Sequence, residues 1–197
     1  MKKSYSQIYQ FKISLLGIRP QIWRRIEVPE TYTFWDLHVA IQDAMGWLDY
    51  HLHQFEIPKS ETQQPDRIGI PDEEWDDDQE LLAGWDTPID SYFSLKNPIA
   101  VYTYDFGDGW EHEVRLEAIA EREPRRKYPR CLEGASARPP EDVGGVYGYR
   151  DLLKAIKNPK HPEHQELLEW AGESFDPERF YAARVRFDNP KTRLKHL

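Results

Sequence analysis

Two short stretches of the sequence carry the residue types that bind divalent metal ions. The first contains His51 and His53, and the second contains Asp105, Asp108 and His112. Imidazole nitrogens and carboxylate oxygens are common ligands of such ions, and alternate residues of a strand project from the same face. These five residues therefore form a candidate binding or metal cluster. No HExxH spacing accompanies them.

The same residues also have a structural interpretation, which the sequence favours. Asp105 and Asp108 border an Asp-Gly turn, where carboxylates commonly accept hydrogen bonds from backbone amides. His112 shares a strand face with Trp110 and Val114, as a core histidine would. The sequence predicts no cofactor and leaves both alternatives open for the metal. A cleft lined by His and Asp from separate motifs would favour an enzyme.

A second candidate is the loop from Pro139 to Gly145. Its glycine amides, at Gly144 and Gly145, could bind an anion, as successive backbone N–H groups do in nests. The neighbouring carboxylates of Glu141 and Asp142 disfavour phosphate there. A structural loop in which one of these carboxylates caps nearby backbone is the preferred interpretation.

Aromatic residues beside arginine suggest a surface for recognising a partner. Trp and Tyr supply large contact area with few rotatable bonds. The candidate recognition surface consists of Trp23, Arg24, Tyr104 and Trp110. Arg130 beside Cys131 could lower the pKa of this thiol, although an inert cysteine is the simpler hypothesis.

Composition limits the partners of the chain. The 197 residues carry a formal net charge of -9, which disfavours nucleic acid as the main partner. No apolar run approaches the ~20 residues that span a bilayer, so no membrane partner is expected. A single cysteine is consistent with a cytoplasmic protein in a reducing compartment.

Hydrophobic periodicity predicts an α+β domain with an antiparallel, or mixed, sheet. The central element is a hairpin of residues 99–106 and 110–120 that turns at Asp108-Gly109. A first hairpin, residues 7–16 and 22–28, precedes a main helix that begins after an N-cap at Thr33 and is stopped by Gly46. A third strand covers residues 51–57.

The remaining segments are predicted to belong to the same domain, which spans residues 1–197. Residues 58–80 are predicted to be an exposed loop, with seven carboxylates between Asp72 and Glu80. Residues 121–197 form a connection rich in Pro and Gly, followed by short helices at 149–157 and 162–171. The basic tail from Arg184 is expected to be frayed.

Three motifs resemble the plasmid open-reading-frame-three-like (Ri-plasmid Orf-three-like) family, some of whose members are insertion-element passengers labelled as resolvases. The motifs are His51-Leu52-His53-x-Phe55, Tyr104-Asp105-Phe106-Gly107-Asp108-x-Trp110-x-His112, and Cys131-x-x-Gly134 with Pro139-Pro140-Glu141-Asp142-x-Gly144-Gly145. The resemblance implies an α+β fold on an antiparallel sheet and no established reaction. Arg138 and Val143 stand where members commonly carry cysteines, and Cys131 alone is not a zinc site.

These observations favour a non-enzymatic module of mobile-element type that binds a protein or peptide. The first alternative is a metal-dependent hydrolase or nuclease that uses the His/Asp cluster. The second is a DNA-binding accessory of a transposable element. A serine resolvase is disfavoured, because Ser4, Ser6 and Ser14 have no arginine cluster or basic recognition helix beside them.

Overall fold

A single sheet forms the body of the protein. The structure is a computed structural model that describes residues 4–59, 63–71, 81–172 and 174–197. Its strands are β1 (Gln7–Leu15), β2 (Trp23–Pro29), β3 (His53–Ile57), β4 (Asp66–Gly69), β5 (Leu81–Ala83), β6 (Ile99–Tyr104), β7 (Trp110–Glu121) and β8 (Arg130–Ala135). Within the described residues the strand order is β5-β4-β3-β6-β7-β1-β2-β8, and only the β4–β5 pair is parallel. The predicted α+β class with a mostly antiparallel sheet is confirmed.

The predicted hairpin of β6 and β7 lies in the middle of this sheet. Tyr102 pairs with His112 and Tyr104 with Trp110, and all four side chains are buried. The turn is longer than the Asp-Gly signal suggested, because β6 already ends at Tyr104. Asp105 takes a φ of 56°, which interrupts the alternation, and Phe106 is therefore 48% exposed instead of joining the core.

Helix α1 (Phe34–Met45) covers the sheet and begins and ends where the sequence predicts. The Thr33 hydroxyl accepts a hydrogen bond from the Asp36 amide, and the Asp36 carboxylate accepts one from the Thr33 amide. Gly46 ends the helix with a φ of 92°. Its apolar face packs on the sheet, where the Phe34 ring lies 5.1 Å from that of Phe55. This closes the main core.

A polar network lies buried between α1 and the sheet. The Tyr102 hydroxyl accepts a hydrogen bond from Gln42 Nε2 at 2.9 Å and lies 2.8 Å from His38 Nδ1. The other ring nitrogen of His38 lies 2.8 Å from the Asp49 carboxylate. A neutral His38 that donates from Nε2 and accepts from Tyr102 satisfies every one of these contacts. The network fixes α1 over the centre of the sheet.

Two segments that were predicted to lack regular structure contain strands. Residues 66–69 of the predicted exposed loop form β4, with Ile68 fully buried, while Asp72–Glu80 lies outside the described residues. Residues 130–135 of the predicted connection form β8, which pairs with β2. Short strands next to Pro and Gly give little periodic signal, and the sheet supplies the pairing that stabilises them. Because of β8, β2 is not an edge strand.

Short helices follow the sheet. Helix α2 (Gly145–Lys157) begins four residues before its predicted start, α3 spans His164–Ala171 and α4 spans Pro190–Arg193. Short 3-10 helices occupy Ile89–Ser91, Ala182–Arg184 and Leu194–His196. Helix α2 packs on the connection between β1 and β2, where Arg150 donates a hydrogen bond to the Gly17 carbonyl.

No helix in the described ranges is both long and apolar enough to cross a membrane.

The C-terminal tail packs on α1, so the prediction that it is frayed was wrong. The Arg193 guanidinium lies 2.7 Å from Asp43, 3.3 Å from Asp49 and 2.7 Å from Asp188. The Trp35 indole donates a hydrogen bond to a carbonyl of α4. Basic composition alone suggested a solvated tail, whereas the carboxylates that attract it come from the end of α1 and the loop that follows.

We predict that Arg193→Met destabilises the protein by about 3 kcal/mol, because two mostly buried carboxylates, Asp43 and Asp49, lose a counter-charge. Urea unfolding followed by tryptophan fluorescence measures the change. Lys191→Met, an exposed change in the same helix, serves as the control and should alter the free energy of unfolding by under ~0.5 kcal/mol. A loss in Arg193→Met no larger than that in Lys191→Met would contradict the role of Arg193 as the counter-charge of Asp43 and Asp49.

Stability should also fall as the pH drops below about 6.5. Burial lowers the pKa of His38 and of His53, and it lowers that of His112 to about 4. The unfolded chain therefore binds more protons below the ordinary histidine pKa, and the stabilisation present above it is lost as the pH falls. His112 alone accounts for about 3 kcal/mol between pH 6.5 and 4.

Urea unfolding at several pH values between 7.5 and 5 tests this expectation, since histidines dominate the titration in that range. His112→Gln should reduce the dependence on pH, whereas His161→Gln, a change at a partly exposed position, should leave it unchanged. A free energy of unfolding that is constant over this range would contradict the assignment of neutral core histidines.

Candidate metal centre

Asp105 is held in an unusual conformation at the end of β6. Its positive φ is uncommon for a residue with a side chain, although Asp tolerates it better than most. Oδ1 accepts hydrogen bonds from the amides of Gly107 and Asp108 at 2.9 and 3.3 Å. These bonds fix the carboxylate plane, and Oδ2 then faces His51, with 3.7 Å between Oδ2 and Nε2.

Asp142 approaches the same histidine from the loop before α2. Its Oδ1 lies 3.1 Å from His51 Nε2, and Asp142 also has a φ of 56°. One ligand atom from each of His51, Asp105 and Asp142 can be chosen so that all three lie within 4.8 Å of one another. His51 Nε2 is shielded from solvent, and neither carboxylate contact has hydrogen-bond geometry. Two residues with positive φ thus aim charged oxygens at one ring nitrogen.

Hydrogen bonds between loops hold this arrangement. The Glu141 carboxylate accepts a bond from the Leu48 amide at 2.8 Å and lies 3.4 Å from the Tyr104 hydroxyl. That hydroxyl accepts a bond from the Tyr50 amide at 3.0 Å. Burial, with the charge of Glu141 as the next cause, raises the pKa of Tyr104, so the phenol stays a neutral donor. The buried Tyr104 therefore connects the loop that contains His51 with the loop that contains Asp142.

The hairpin turn and the glycine loop also contact each other directly. The Gly144 amide donates to Asp108 Oδ2 at 3.2 Å. A Cβ on Gly145 would lie 2.5 Å from the Asp108 carbonyl oxygen, so only glycine allows this approach. The amides that could have formed an anion nest thus face the hairpin turn, and one of them is bound to its carboxylate.

The separations between the candidate ligand atoms at His51 lie close to those of a divalent-cation site. Ligands that bind an ion at about 2.1 Å lie about 3.0 to 3.4 Å apart when neighbouring each other in octahedral or tetrahedral sites. The two measured separations at His51 are 3.1 and 3.7 Å. The longer separation joins His51 to Asp105, and the exposed side chain of Asp142 has room to turn toward an ion placed between these two residues. One nitrogen and two carboxylate oxygens fit Zn²⁺ or Mn²⁺ better than a soft metal.

The predicted cluster is only partly assembled. His51 and Asp105 meet, but His53 and His112 are buried in the core, where the His53 ring stacks on that of His38 with 3.4 Å between centroids. Asp108 binds the glycine loop instead. Asp142 was not predicted as a member of this cluster. The signal that could have found it is the Asp-x-Gly-Gly pattern, because such loops come close to other backbone segments.

Three of the four residues in the predicted recognition surface are buried. Arg24, Tyr104 and Trp110 are at most 1% exposed, and only Trp23 is partly accessible. The prediction was wrong because the Trp47 ring packs against those of Tyr104 and Trp110, while Arg24 donates to carbonyls of α1 and β8. Burial also raises the pKa of Cys131 to about 11, which makes its thiol a weak nucleophile.

Exposed apolar side chains surround the candidate metal centre instead. They belong to the same loops as the ligands or to the first turn of α2: Leu48, Tyr50, Leu52, Phe106 and Tyr147, with between 43% and 79% of their surface exposed. His51 also lines a cleft of about 630 Å³, together with Trp47 and Leu48. Such a concave site with a few polar groups is typical of a ligand pocket.

Comparisons with known proteins agree with the resemblance seen in the sequence. The family model described as "plasmid pRiA4b ORF-3-like protein" matches residues 7–184. An uncharacterized protein of Sinorhizobium fredii is 36% identical over 176 residues, which cover 86% of this chain and 83% of that protein. The crystal structure of a protein of unknown function from Methanosarcina mazei Go1 superposes on this chain with a TM-score of 0.86 and 45% sequence identity. The match covers 93% of this chain and 100% of that protein chain.

The close approach at Gly145 generates a prediction with a matched control. Gly145 and Gly109 both have a φ of 65°, but a Cβ on Gly109 would meet nothing within 4 Å. Gly109→Ala should therefore cost about 1 kcal/mol for the left-handed conformation alone. Gly145→Ala should cost about 1–3 kcal/mol more, because the loop must move away from the turn.

The free energy of unfolding of both variants, measured in urea, gives the comparison. Hydrogen exchange of the Gly144 amide should be faster in Gly145→Ala and unchanged in Gly109→Ala. If both variants lose the same stability, the contact between the loop and the turn does not hold the two carboxylates in place.

Proposed function

Because the chain belongs to the plasmid pRiA4b ORF-3-like family, whose matched relatives bear no named activity, we propose its function from the geometry of the site: a metal-dependent hydrolase in which His51, Asp105 and Asp142 hold a divalent cation. The observation that carries this proposal is the convergence of these three side chains from three separate loops. It is the first alternative raised by the sequence, with Asp142 in place of the buried histidines.

A cation would relieve the electrostatic problem at this site. Asp105 is 6% exposed and keeps its carboxylate close to that of Asp142 beside a single histidine. Like charges at short distance repel each other, although solvent at the exposed Asp142 side chain screens part of this repulsion. A divalent ion would be bound by both carboxylates and by His51 Nε2, a nitrogen without a hydrogen-bond partner among the described residues.

Three protein ligands leave coordination positions for water and substrate. A bound divalent ion lowers the pKa of such a water and polarises a carbonyl or phosphoryl oxygen. The adjoining cleft, with Trp47 and Leu48 in its wall, would bind the apolar part of the substrate next to the ion. His51 contributes to both features, since it is a ligand and also lines the cleft.

Metal binding tests the proposal directly. Calorimetric titration of metal-free protein with Zn²⁺ and Mn²⁺ should show one site, and His51→Gln should weaken it by at least about tenfold. Asp105→Asn is the sharper variant, because Asn tolerates positive φ and keeps the hydrogen bonds of Oδ1 while removing the charge. It should fold normally and also lose affinity.

Surface variants of the same chemistry provide the controls. Asp151→Asn and His161→Gln should leave the affinity unchanged, since both residues lie outside the cluster. Hydrolysis of nitrophenyl acetate and of bis-nitrophenyl phosphate is then compared with and without the metal. Absence of a saturable site, or equal affinity in His51→Gln, would refute the metal centre; binding without metal-dependent hydrolysis would refute the enzyme and keep the centre.

Binding of a protein or peptide is a second candidate, favoured by the exposed apolar residues around the cluster. Contiguous exposed apolar surface marks interaction sites in soluble proteins. Under this hypothesis the recognition surface consists of the exposed residues Tyr50, Phe106 and Tyr147, and not of the buried residues of the sheet. Purification under native conditions should recover a partner that Tyr50→Ala and Tyr147→Ala release, while Tyr5→Ala does not. Association with mobile elements stays a prediction, and no contact described above favours DNA binding.

A further inference from the structure

A second cleft, of about 400 Å³, lies on the other side of Asp43 and is lined largely by arginines. It is formed by β2, the end of α1, the segment before Pro139 and the chain after α3. Five arginines contribute to its wall: Arg24, Arg138, Arg179, Arg184 and Arg186. This concentration is unexpected in a chain with a net charge of -9, because such a surface normally disperses its cations among carboxylates.

Arg24 lies at the floor of this cleft. It is 1% exposed, and it donates hydrogen bonds to the carbonyls of Ala44, Trp23 and Ala135 through Nε and Nη1. Its guanidinium lies 3.6 Å from the centre of the Phe180 ring. Among the described residues Nη2 has no hydrogen-bond partner, and no carboxylate forms an ion pair with Arg24. Burial lowers the pKa of this group to about 10, which is the response of a cation without a counter-ion.

The other arginines are similarly short of anionic partners. Arg138 and Arg186 donate to backbone carbonyls, and Arg184 lies over the Tyr181 ring at 4.4 Å. In the described part of the chain none of these three forms an ion pair, whereas Arg179 pairs with Asp176.

The carboxylates of this cleft are already engaged. Asp43 accepts hydrogen bonds from Arg193 and from the Asp188 amide, while Asp176 is paired with Arg179. The cleft therefore has an excess of positive charge, which Glu141 offsets in part at Arg138. Met45, Phe175 and Val185 supply apolar surface beside it.

We propose that this cleft binds a small molecule through a phosphate or carboxylate group, held between Arg24 at the floor and Arg184 and Arg186 at the rim. Arg24 can offer the N–H groups of Nη2, and the exposed guanidinium groups of Arg184 and Arg186 add further charged donors for the oxygens of either anion. Buried or partly buried cations gain most from an anion when water is displaced, and aromatic rings behind two of the guanidinium groups hold them in place. The site is separate from the metal centre, since none of the three proposed ligands lines it.

Titration of the full metal-free chain with inorganic phosphate and, separately, with citrate tests the proposal. Chemical shift changes and calorimetry at constant ionic strength should show saturable binding of at least one of them, and the tighter probe identifies the preferred anion. Arg184→Gln and Arg186→Gln should each weaken this binding by about tenfold, because each removes a charged hydrogen-bond donor from an exposed position.

Arg150→Gln is the matched control, as this exposed arginine on α2 also donates to a backbone carbonyl and carries the same charge. It should change the affinity by less than twofold. The affinity of Arg24→Met tests the role of Arg24 only if this variant still unfolds cooperatively. If it does not, the affinities of Arg184→Gln and Arg186→Gln decide whether the cleft binds the anion. No saturable binding at millimolar concentrations, or equal losses in Arg150→Gln and the rim variants, would overturn the proposal.

Discussion

The hydroxyl of Tyr102 is the interaction on which the rest of the structure depends. It lies at the centre of the sheet, wholly buried, and is bound by Gln42 and His38 of α1. An unpaired hydroxyl there would be costly, so the helix can dock in only one register along its axis. His38 also contacts the Asp49 carboxylate, and Asp49 contacts Arg193, so the same network positions these two residues. The position of the loop after α1 therefore follows from a single buried phenol.

This loop determines which side chains meet at the candidate metal centre. Residues 47–52 leave α1 beside Asp49 and reach β3 through His51. The Tyr50 amide is bound by the Tyr104 hydroxyl, two residues along the strand from Tyr102 on the same face. The histidine thus arrives at the end of β6 where Asp105 turns the chain. Packing of the helix and assembly of the site are two results of one set of buried hydrogen bonds.

Periodic elements could be predicted from the sequence because their own residues specify them. The hairpin around Gly109 alternates over both strands, and α1 carries its capping box and its terminal Gly46. Strands β4 and β8 could not be found in this way, since each is short and depends on a neighbour that is distant in sequence. The docked tail was missed for a related reason: Arg193 is fixed by Asp43 and Asp49, which lie more than 140 residues away.

The residues that meet at the candidate site were only partly predicted from the sequence. His53 lies on the same face of β3 as Phe55, and α1 covers that face. His51 escapes this burial because β3 begins at His53, so His51 lies in the loop before the strand. Whether His51 or His53 enters the core depends on where α1 lies over the sheet. The sequence pattern of the strand does not contain that information.

Asp105 and Asp142 give the strongest physical reason to regard the cluster as functional. Each adopts a positive φ that a glycine could adopt without strain, and each directs a carboxylate toward His51. At Asp105 one oxygen has a local structural role, because Oδ1 accepts hydrogen bonds from the amides of Gly107 and Asp108, whereas Oδ2 and the Asp142 carboxylate both face His51. A cation bound between them would turn the repulsion of the two carboxylates into coordination.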